Sequence, residues 1–403
     1  MSGQETLDWE NRFSPPFFRK LPLSIERGEG IYVWDERGRQ YLDFTAGWGV
    51  TSLGHAHPVI LQALQQQARQ IWQTPNAGLV CNPTRARLLA LMANILPPPL
   101  TRTFFCTSGS EAIDAAIKLA RKVTGRMDIV SASQGFHGRM ITASSATGGI
   151  GHREKIDPQA SHFRFVSYGD EGEVEKAIDD KVAAVIMEPI LGEGGVFVPP
   201  PGYLYYVSQL CRKYGALLII DEVQTGFCRT GPMFASSSLN LDVSFLTMGK
   251  GIASGFPFAA FAMTEEVAAK IEVGDHGGTY AGNPLGCAVA EAVVRYLIDH
   301  DISSHVEKMG GIFRTGLALL QNKYPYVIKE VRGQGLLWAA EISRPEQAGA
   351  VFDASLKKGL ILNIVKEQVI RFFPALVITE KQIQEGLSIF EEAICETAVD
   401  KCD

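Results

Sequence analysis

Ala216-Leu217-Leu218-Ile219-Ile220-Asp221-Glu222 sets five apolar residues directly before two carboxylates. A run this short, apolar without alternation, is what a parallel strand buried on both faces requires. Ligands of open α/β sheets lie beyond the carboxyl ends of the strands, so an acid placed there faces a site. A second such run, Val243-Ser244-Phe245-Leu246-Thr247-Met248, ends in Gly249-Lys250-Gly251. A lone lysine between two glycines at a strand end is an unusual place for a structural residue. Working outward, Arg102 to Cys106, Asp128 to Ala132 and Val182 to Met187 read as strands. Helical stretches follow at Glu111 to Val123 and Tyr203 to Tyr214, so the expected fold class is α/β with a mostly parallel sheet. Phe256 to Met263 reads as a further strand, antiparallel at an edge.

The chain has 403 residues, which favours one large and one small domain. A net charge of −6 argues against nucleic-acid or membrane-surface binding. No apolar run reaches about 18 residues, so no membrane span is expected, and the polar start Met1 to Glu10 lacks the apolar stretch of a signal peptide. The seven cysteines, Cys81, Cys106, Cys211, Cys228, Cys287, Cys395 and Cys402, are odd in number and form no C-x-x-C pair. They suggest neither disulfides nor zinc, and they fit a cytoplasmic protein. His55 and His57 lack further ligands at metal spacing, so local hydrogen bonding is expected and no metal. Residues 1–30 are expected to be an extended arm, because Pro15, Pro16 and Pro22 block helix. Ile31–Asp35 and Gln40–Phe44 flank a Gly-bearing turn and form a hairpin.

Several loops at strand ends carry polar groups. Thr107-Ser108-Gly109-Ser110 lies between a strand and the helix from Glu111, where free N–H groups suit an anion; Ser108 and Glu111 equally fit a capping box. Phe136 and Arg139 follow the Asp128–Ala132 strand. Phe136 either packs in the core or stacks on a flat ring, and Arg139 makes a surface pair or holds a carboxylate. Glu188 ends the Val182–Met187 strand, and Glu193 sits among Gly192, Gly194 and Gly195. Arg371, inside Val369-Ile370-Arg371-Phe372-Phe373, either faces water on an alternating strand or clamps a carboxylate. The glycines around Lys250 have the wrong spacing for a dinucleotide loop. An acid at one strand end and a lysine at the next suit pyridoxal 5′-phosphate (PLP). Its aldehyde takes a lysine amine, and its pyridine nitrogen needs a carboxylate to keep a proton.

In order along the chain come Leu53-Gly-His-Ala-His-Pro58, Thr107-Ser-Gly-Ser-Glu-Ala112, Phe136-His-Gly-Arg139, Glu188-Pro-Ile-Leu-Gly-Glu-Gly-Gly195, Asp221-Glu-Val-Gln-Thr-Gly226, Gly249-Lys-Gly251, Gly278-Thr279 and Val331-Arg-Gly-Gln-Gly-Leu336. Through these the sequence resembles the class III (ω-type) PLP-dependent aminotransferases, in particular the acetylornithine, ornithine and 4-aminobutyrate aminotransferases. The resemblance implies fold type I, with a large domain over 50–290 around a sheet of the seven-stranded type. A smaller α+β domain would combine 1–49 with 291–403. It implies catalytic roles for Lys250 and Asp221, and a cofactor site including Ser108, Gly109, Ser110, Phe136, Glu188, Val223, Gln224 and Thr279. Phe136 and Val223 would sandwich the ring, Gln224 would bond the ring hydroxyl, and Thr279 would reach the phosphate of a neighbouring subunit in a homodimer with shared sites. Arg139 and Arg371 would clamp substrate carboxylates, with Glu193 a movable partner of Arg371.

The implied reaction moves an amino group from an ω-amino acid or amine to 2-oxoglutarate by a ping-pong cycle. The sequence departs from the family pattern at Ser110, where threonine is common. It departs also at Phe18, where ornithine enzymes carry a substrate-binding tyrosine, and at Trp48, a bulky residue on a substrate wall. Two other readings share Asp221 and Lys250: an aminomutase of the glutamate-1-semialdehyde type, and a non-catalytic binding protein on this fold.

Overall fold

The computed structural model describes residues 2–18, 20–76, 78–149 and 160–399; Cys402 lies outside them. The first residues correct the expectation of an extended arm, since Gly3–Phe13 is a helix. The Ser2 hydroxyl accepts from Glu5 N, and the Glu5 carboxylate accepts from Ser2 N at 2.8 Å. This reciprocal cap closes the first turn, and the prolines fall only after the helix has ended. Strands β1 (Ile25–Glu29), β2 (Tyr32–Asp35) and β3 (Gln40–Asp43) then pair antiparallel. The Asp35 carboxylate accepts from Arg37 N and Arg39 N in the β2–β3 turn, where Gly38 takes φ +79°.

The main sheet contains β4 (Leu100–Cys106), β5 (Asp128–Ala132), β6 (Phe163–Val166), β7 (Val182–Met187), β8 (Leu217–Asp221), β9 (Phe245–Met248) and β10 (Ala259–Thr264). Its order is β4-β10-β9-β8-β7-β5-β6, seven strands of which only β10 runs against the rest. The antiparallel direction of β10 agrees with expectation, but its place does not: it lies between β4 and β9, not at an edge. Its composition accounts for this. Residues 259–263 are buried without interruption, and a strand covered on both faces and both sides tolerates no polar row. Strand β6 and the helices Pro83–Ile95, Ile141–Ala146 and Glu171–Ala177 are further elements that the periodicity left unassigned.

A third sheet is built from β11 (Ile328–Gln334), β12 (Leu337–Ile342), β14 (Asn363–Val365) and β15 (Val369–Phe372), in the order β11-β12-β15-β14. Residues 360–365 hold two short strands: β13 (Leu360–Ile361) pairs parallel with β3, and β14 pairs with β15. Arg229 fastens this sheet to the loop after β8. It is fully enclosed, its Nη1 donates to Leu336 O at 3.0 Å and Pro374 O at 2.6 Å, and burial lowers its pKa to about 9. The loop carrying Glu193 is gripped from the third sheet as well: Arg332 Nε donates to Gly195 O at 2.8 Å, and Arg371 Nη1 to Gly192 O at 3.1 Å.

Candidate active site

The carboxyl ends of β4, β5, β7, β8 and β9 open on one cavity of about 200 Å³. Gly109, Ser110, Phe136, His137, Gly138, Glu188, Gly192, Glu193, Asp221, Val223, Gln224 and Lys250 line it. After β4 the chain turns into the helix Gly109–Thr124. Ser108 is its N-cap and accepts from Glu111 N, while the Glu111 carboxylate turns to Thr107 N and Oγ1 at 2.8 and 2.6 Å. Ser108 is therefore committed to capping, whereas Gly109 and Ser110 reach the cavity. A side chain at 109 would not fit, since a Cβ there would stand 2.8 Å from Val223 Cγ1. Gly138, at φ +131°, lies against the Ser110 side chain, and Ser110 Oγ accepts from Met140 N at 3.1 Å.

Asp221 closes β8 in register with Thr247 of β9. Its Oδ1 accepts from Val223 N at 3.0 Å and Thr247 Oγ1 at 3.2 Å, and its Oδ2 lies 2.7 Å from His137 Nδ1. Both partners of that last contact are buried. Burial opposes a proton on His137, but the hydrogen bond and charge of Asp221, with Glu188 behind, prevail and raise its pKa. Glu188 joins two loops: its carboxylate accepts from Phe136 N at 2.9 Å and Gly192 N at 3.0 Å. Burial, against His137 and with Asp221 adding to it, holds its carboxyl above the usual range.

Lys250 opens a 3₁₀ turn after β9 at φ +42°. Half-buried on the cavity wall, it donates to Gln224 Oε1. Burial lowers its pKa; Glu193, Asp221 and Glu188 oppose the shift and Arg371 adds to it. Arg371 is 0% exposed, over the Phe373 ring at 4.8 Å, with Nη2 2.8 Å from Glu193 Oε1 and Nε donating to Asn363 Oδ1 at 2.7 Å. The alternative of a water-facing Arg371 is thus ruled out.

The remaining sequence-derived residues are spread more widely. Arg139 is exposed, its guanidinium 5.9 Å from the Phe136 ring centre. Trp48, half exposed at φ +64°, sits in a tight turn beside Gln224; a Cβ on the adjacent Gly49 would stand 2.6 Å from Gln224 Nε2. Phe18 lines a separate surface hollow with Gln4, Leu7 and Asn11. Thr279 is on an exposed loop, its carbonyl accepting from Gln73 Nε2 at 2.5 Å. His55 bonds Asp43 at 2.9 Å, the local role expected of it. Two residues escaped the sequence reading. His137 lies inside a motif recognised for its neighbours, and Asn363 carried no signal at all.

These residues fit PLP. Two buried donors or acceptors in the cavity wall, Gln224 Nε2 and His137 Nε2, have no hydrogen-bond partner among the described residues. Gln224 keeps this free amide while its oxygen takes Lys250, which leaves a donor for a ring hydroxyl. The glycine-lined helix start supplies backbone N–H groups for a phosphate. Among the described residues no group of three His, Cys, Asp or Glu is placed to hold a metal, and no helix is long and apolar enough to cross a membrane.

Comparison with known proteins agrees with this chemistry. The family model for class-III aminotransferases matches residues 15–394. The acetylornithine aminotransferase of Methanothermobacter thermautotrophicus is 39% identical over 98% of this chain and 99% of its own length. The LysW-aminoadipate semialdehyde transaminase of Deinococcus radiodurans is 37% identical over 96% of this chain and 89% of its own. A crystal structure of ornithine aminotransferase from Toxoplasma gondii superposes with a TM-score of 0.94 at 31% identity, covering 100% of this chain and 97% of that one.

Proposed function

The chain belongs to the class III aminotransferases, PLP-dependent transaminases of fold type I, and from that premise we propose that it moves the amino group of an ω-amino acid to 2-oxoglutarate in a ping-pong cycle. When bound, the cofactor supplies an aldehyde that takes the amino group and a protonated ring that draws electrons from the substrate carbon. Lys250 anchors the cofactor and afterwards carries the proton at that carbon; its lowered pKa keeps the amine able to accept one. Asp221 holds the proton on the ring nitrogen, kept in orientation by Val223 N, Thr247 and His137. Val223 and Phe136 would flank the ring, Gln224 would bond its hydroxyl, and Gly109 with Ser110 would hold the phosphate.

The observation that carries the substrate reading is the Arg371–Glu193 contact at 2.8 Å beside Lys250. With an ω-amino substrate, Glu193 neutralises Arg371 and Arg139 takes the distant carboxylate. With glutamate, Glu193 withdraws and Arg371 grips the α-carboxylate. A switchable acid suits a buried arginine, since leaving that charge unpaired costs about 3–5 kcal/mol. Acetylornithine and ornithine, in two relatives' names, carry an ω-amino group, and the aminoadipate semialdehyde of a third is the aldehyde partner of such an amine; these support a donor of this class. The test is a half-reaction screen. Single amines (ornithine, acetylornithine, 4-aminobutyrate, putrescine, β-alanine, glutamate) are mixed with cofactor-loaded enzyme without an oxo acid. Glutamate and at least one ω-amine are expected to bleach the visible band of the cofactor. Failure of glutamate to do so would falsify the reading, and isomerisation of an amino aldehyde without any oxo acid would favour an aminomutase.

The site is completed in this proposal by a second copy of the chain in the cytoplasm. Trp72, Leu79 and Tyr280 are 63%, 84% and 65% exposed near the loop of Thr279, a large apolar surface to leave in water. Thr279 would then reach the partner's phosphate site. Sedimentation is expected to show a dimer, and Thr279→Ala to weaken cofactor binding by about tenfold, the loss of one hydrogen bond to a charged group. A monomer retaining full cofactor affinity would contradict both.

A further inference from the structure

We propose that Asn363 is a positioning residue: an uncharged, permanent anchor that keeps Arg371 aimed for a substrate carboxylate while Glu193 comes and goes. The proposal rests on the reading of Arg371 as the glutamate clamp and adds what holds the clamp when its counter-charge leaves.

The guanidinium of Arg371 meets three oxygens of different permanence. Gly192 O, at 3.1 Å from Nη1, belongs to a loop whose far shoulder, Gly195 O, is held by Arg332. Arg332 is itself paired with Glu330 and Glu341 at 2.8 Å each, so that the loop is held at both ends. Glu193 lies between them. Its side chain is 29% exposed, and its Oε1 lies 2.8 Å from Arg371 Nη2. The acid that offsets the buried guanidinium is thus reachable from water and sits in a turn, not on a strand.

Asn363 differs on each count. It stands directly across from Arg371 in the β14–β15 pairing, so the backbone ladder fixes its distance. Its Oδ1 receives Nε in an aligned hydrogen bond of 2.7 Å. Nε is the guanidinium donor nearest the side-chain stem, and fixing it leaves rotation of the plane little freedom while Nη2 stays available to a ligand. The acceptor must also be neutral. A carboxylate at 363 would satisfy Nε equally well, but it would neutralise Arg371 permanently and compete with every substrate carboxylate.

The test uses cofactor-loaded enzyme and two readouts. One is the Kd of glutarate, a dicarboxylate that cannot react, measured by titration calorimetry. The other is the separate half-reactions with glutamate and with the fastest ω-amine of the screen. Asn363→Asp is expected to raise the glutarate Kd and the glutamate KM by about tenfold, with kcat and the ω-amine half-reaction within about twofold of wild type. Asn363→Ala, which removes the anchor without adding charge, is expected to raise the same two quantities by about threefold, and it carries the test if the aspartate variant does not fold. Arg371→Gln serves as the control. If it weakens glutarate while both Asn363 variants bind it normally, Asn363 is no anchor and the proposal is overturned. Equal slowing of both half-reactions together with a lower Tm makes Asn363 merely structural, which also overturns it. If Arg371→Gln itself leaves glutarate binding unchanged, the underlying reading of Arg371 fails, and the proposal with it.

Discussion

Lys250→Ala is expected to slow turnover by on the order of 10⁴-fold or more, because in the proposed cycle one side chain both anchors the cofactor and moves the substrate proton. Purified variant should also lose the visible absorption that wild type shows with PLP. Its stability should not fall. Lys250 sits at φ +42°, a conformation that costs a non-glycine residue about 1–2 kcal/mol, and burial keeps its amine reluctant to take a proton. Lys250→Gly removes both penalties and is expected to raise the Tm of the cofactor-free protein. The pH dependence has a definite sign. The folded pKa is lowered, so between it and the ordinary lysine value the unfolded chain binds more protons, and wild-type stability rises with pH across that window. The variants lack this slope, so their advantage over wild type is largest below the window and shrinks as pH climbs through it. Denaturant titration of cofactor-free protein on both sides of the window checks this. Retained turnover in Lys250→Ala, band or no band, would show that Lys250 is not the lysine that moves the substrate proton.

Asp221→Ala should cost about 10³-fold in turnover, comparable with removing a directed electrostatic partner from other active sites. In the proposed cycle that carboxylate would hold the proton on the ring nitrogen, and without it the electron demand of the cofactor would fall. A second effect comes from His137, buried 2.7 Å from Asp221. In wild type its pKa is raised, so the pair contributes stability that is fully present below the ordinary histidine value and lost as pH rises through the raised one. Removing Asp221 leaves only the charge of Glu188 to oppose burial at His137. The stability deficit of the variant is therefore expected to be greatest in acid and to narrow as pH rises. Urea titrations of cofactor-free Asp221→Ala and wild type at pH of about 6 and about 8.5 measure it. A deficit that grew with pH would mean that His137 is neutral beside Asp221, and would reverse the assignment of the buried proton.

How much of this was legible beforehand varied with the range of the interaction. The strands of the main sheet were readable because apolar runs are local, and the acid and lysine at their ends were readable because the chain itself carries the strand into the loop. The helix Gly3–Phe13 was missed because three prolines drew the reading, although Ser2 and Glu5 already formed a capping pair at the right spacing. Strand β10 was given the right direction and the wrong neighbour, since nothing within residues 259–264 says that β4 will close over its other side. His137 was passed over because β7 lies between β5 and β8 in the sheet, and only that order brings the loop after β5 back onto Asp221. Asn363 is eight residues from Arg371, yet it had no reason to be singled out until the pairing of β14 with β15 set it across from the arginine.

By itself the sequence determined the α/β class, the two strand-end groups Asp221 and Lys250, the glycine-lined anion loop and, through motifs in one order, the family. These are encoded in short windows, where hydrophobic period and turn chemistry act on neighbouring residues. The tertiary structure alone decided that Arg371 is buried and not a surface charge, that Asn363 stands across from it and accepts its Nε, and that His137 stands behind Asp221. Each of those outcomes depends on which distant surfaces come together, and a charge is tolerated inside a protein only when that assembly supplies its partners.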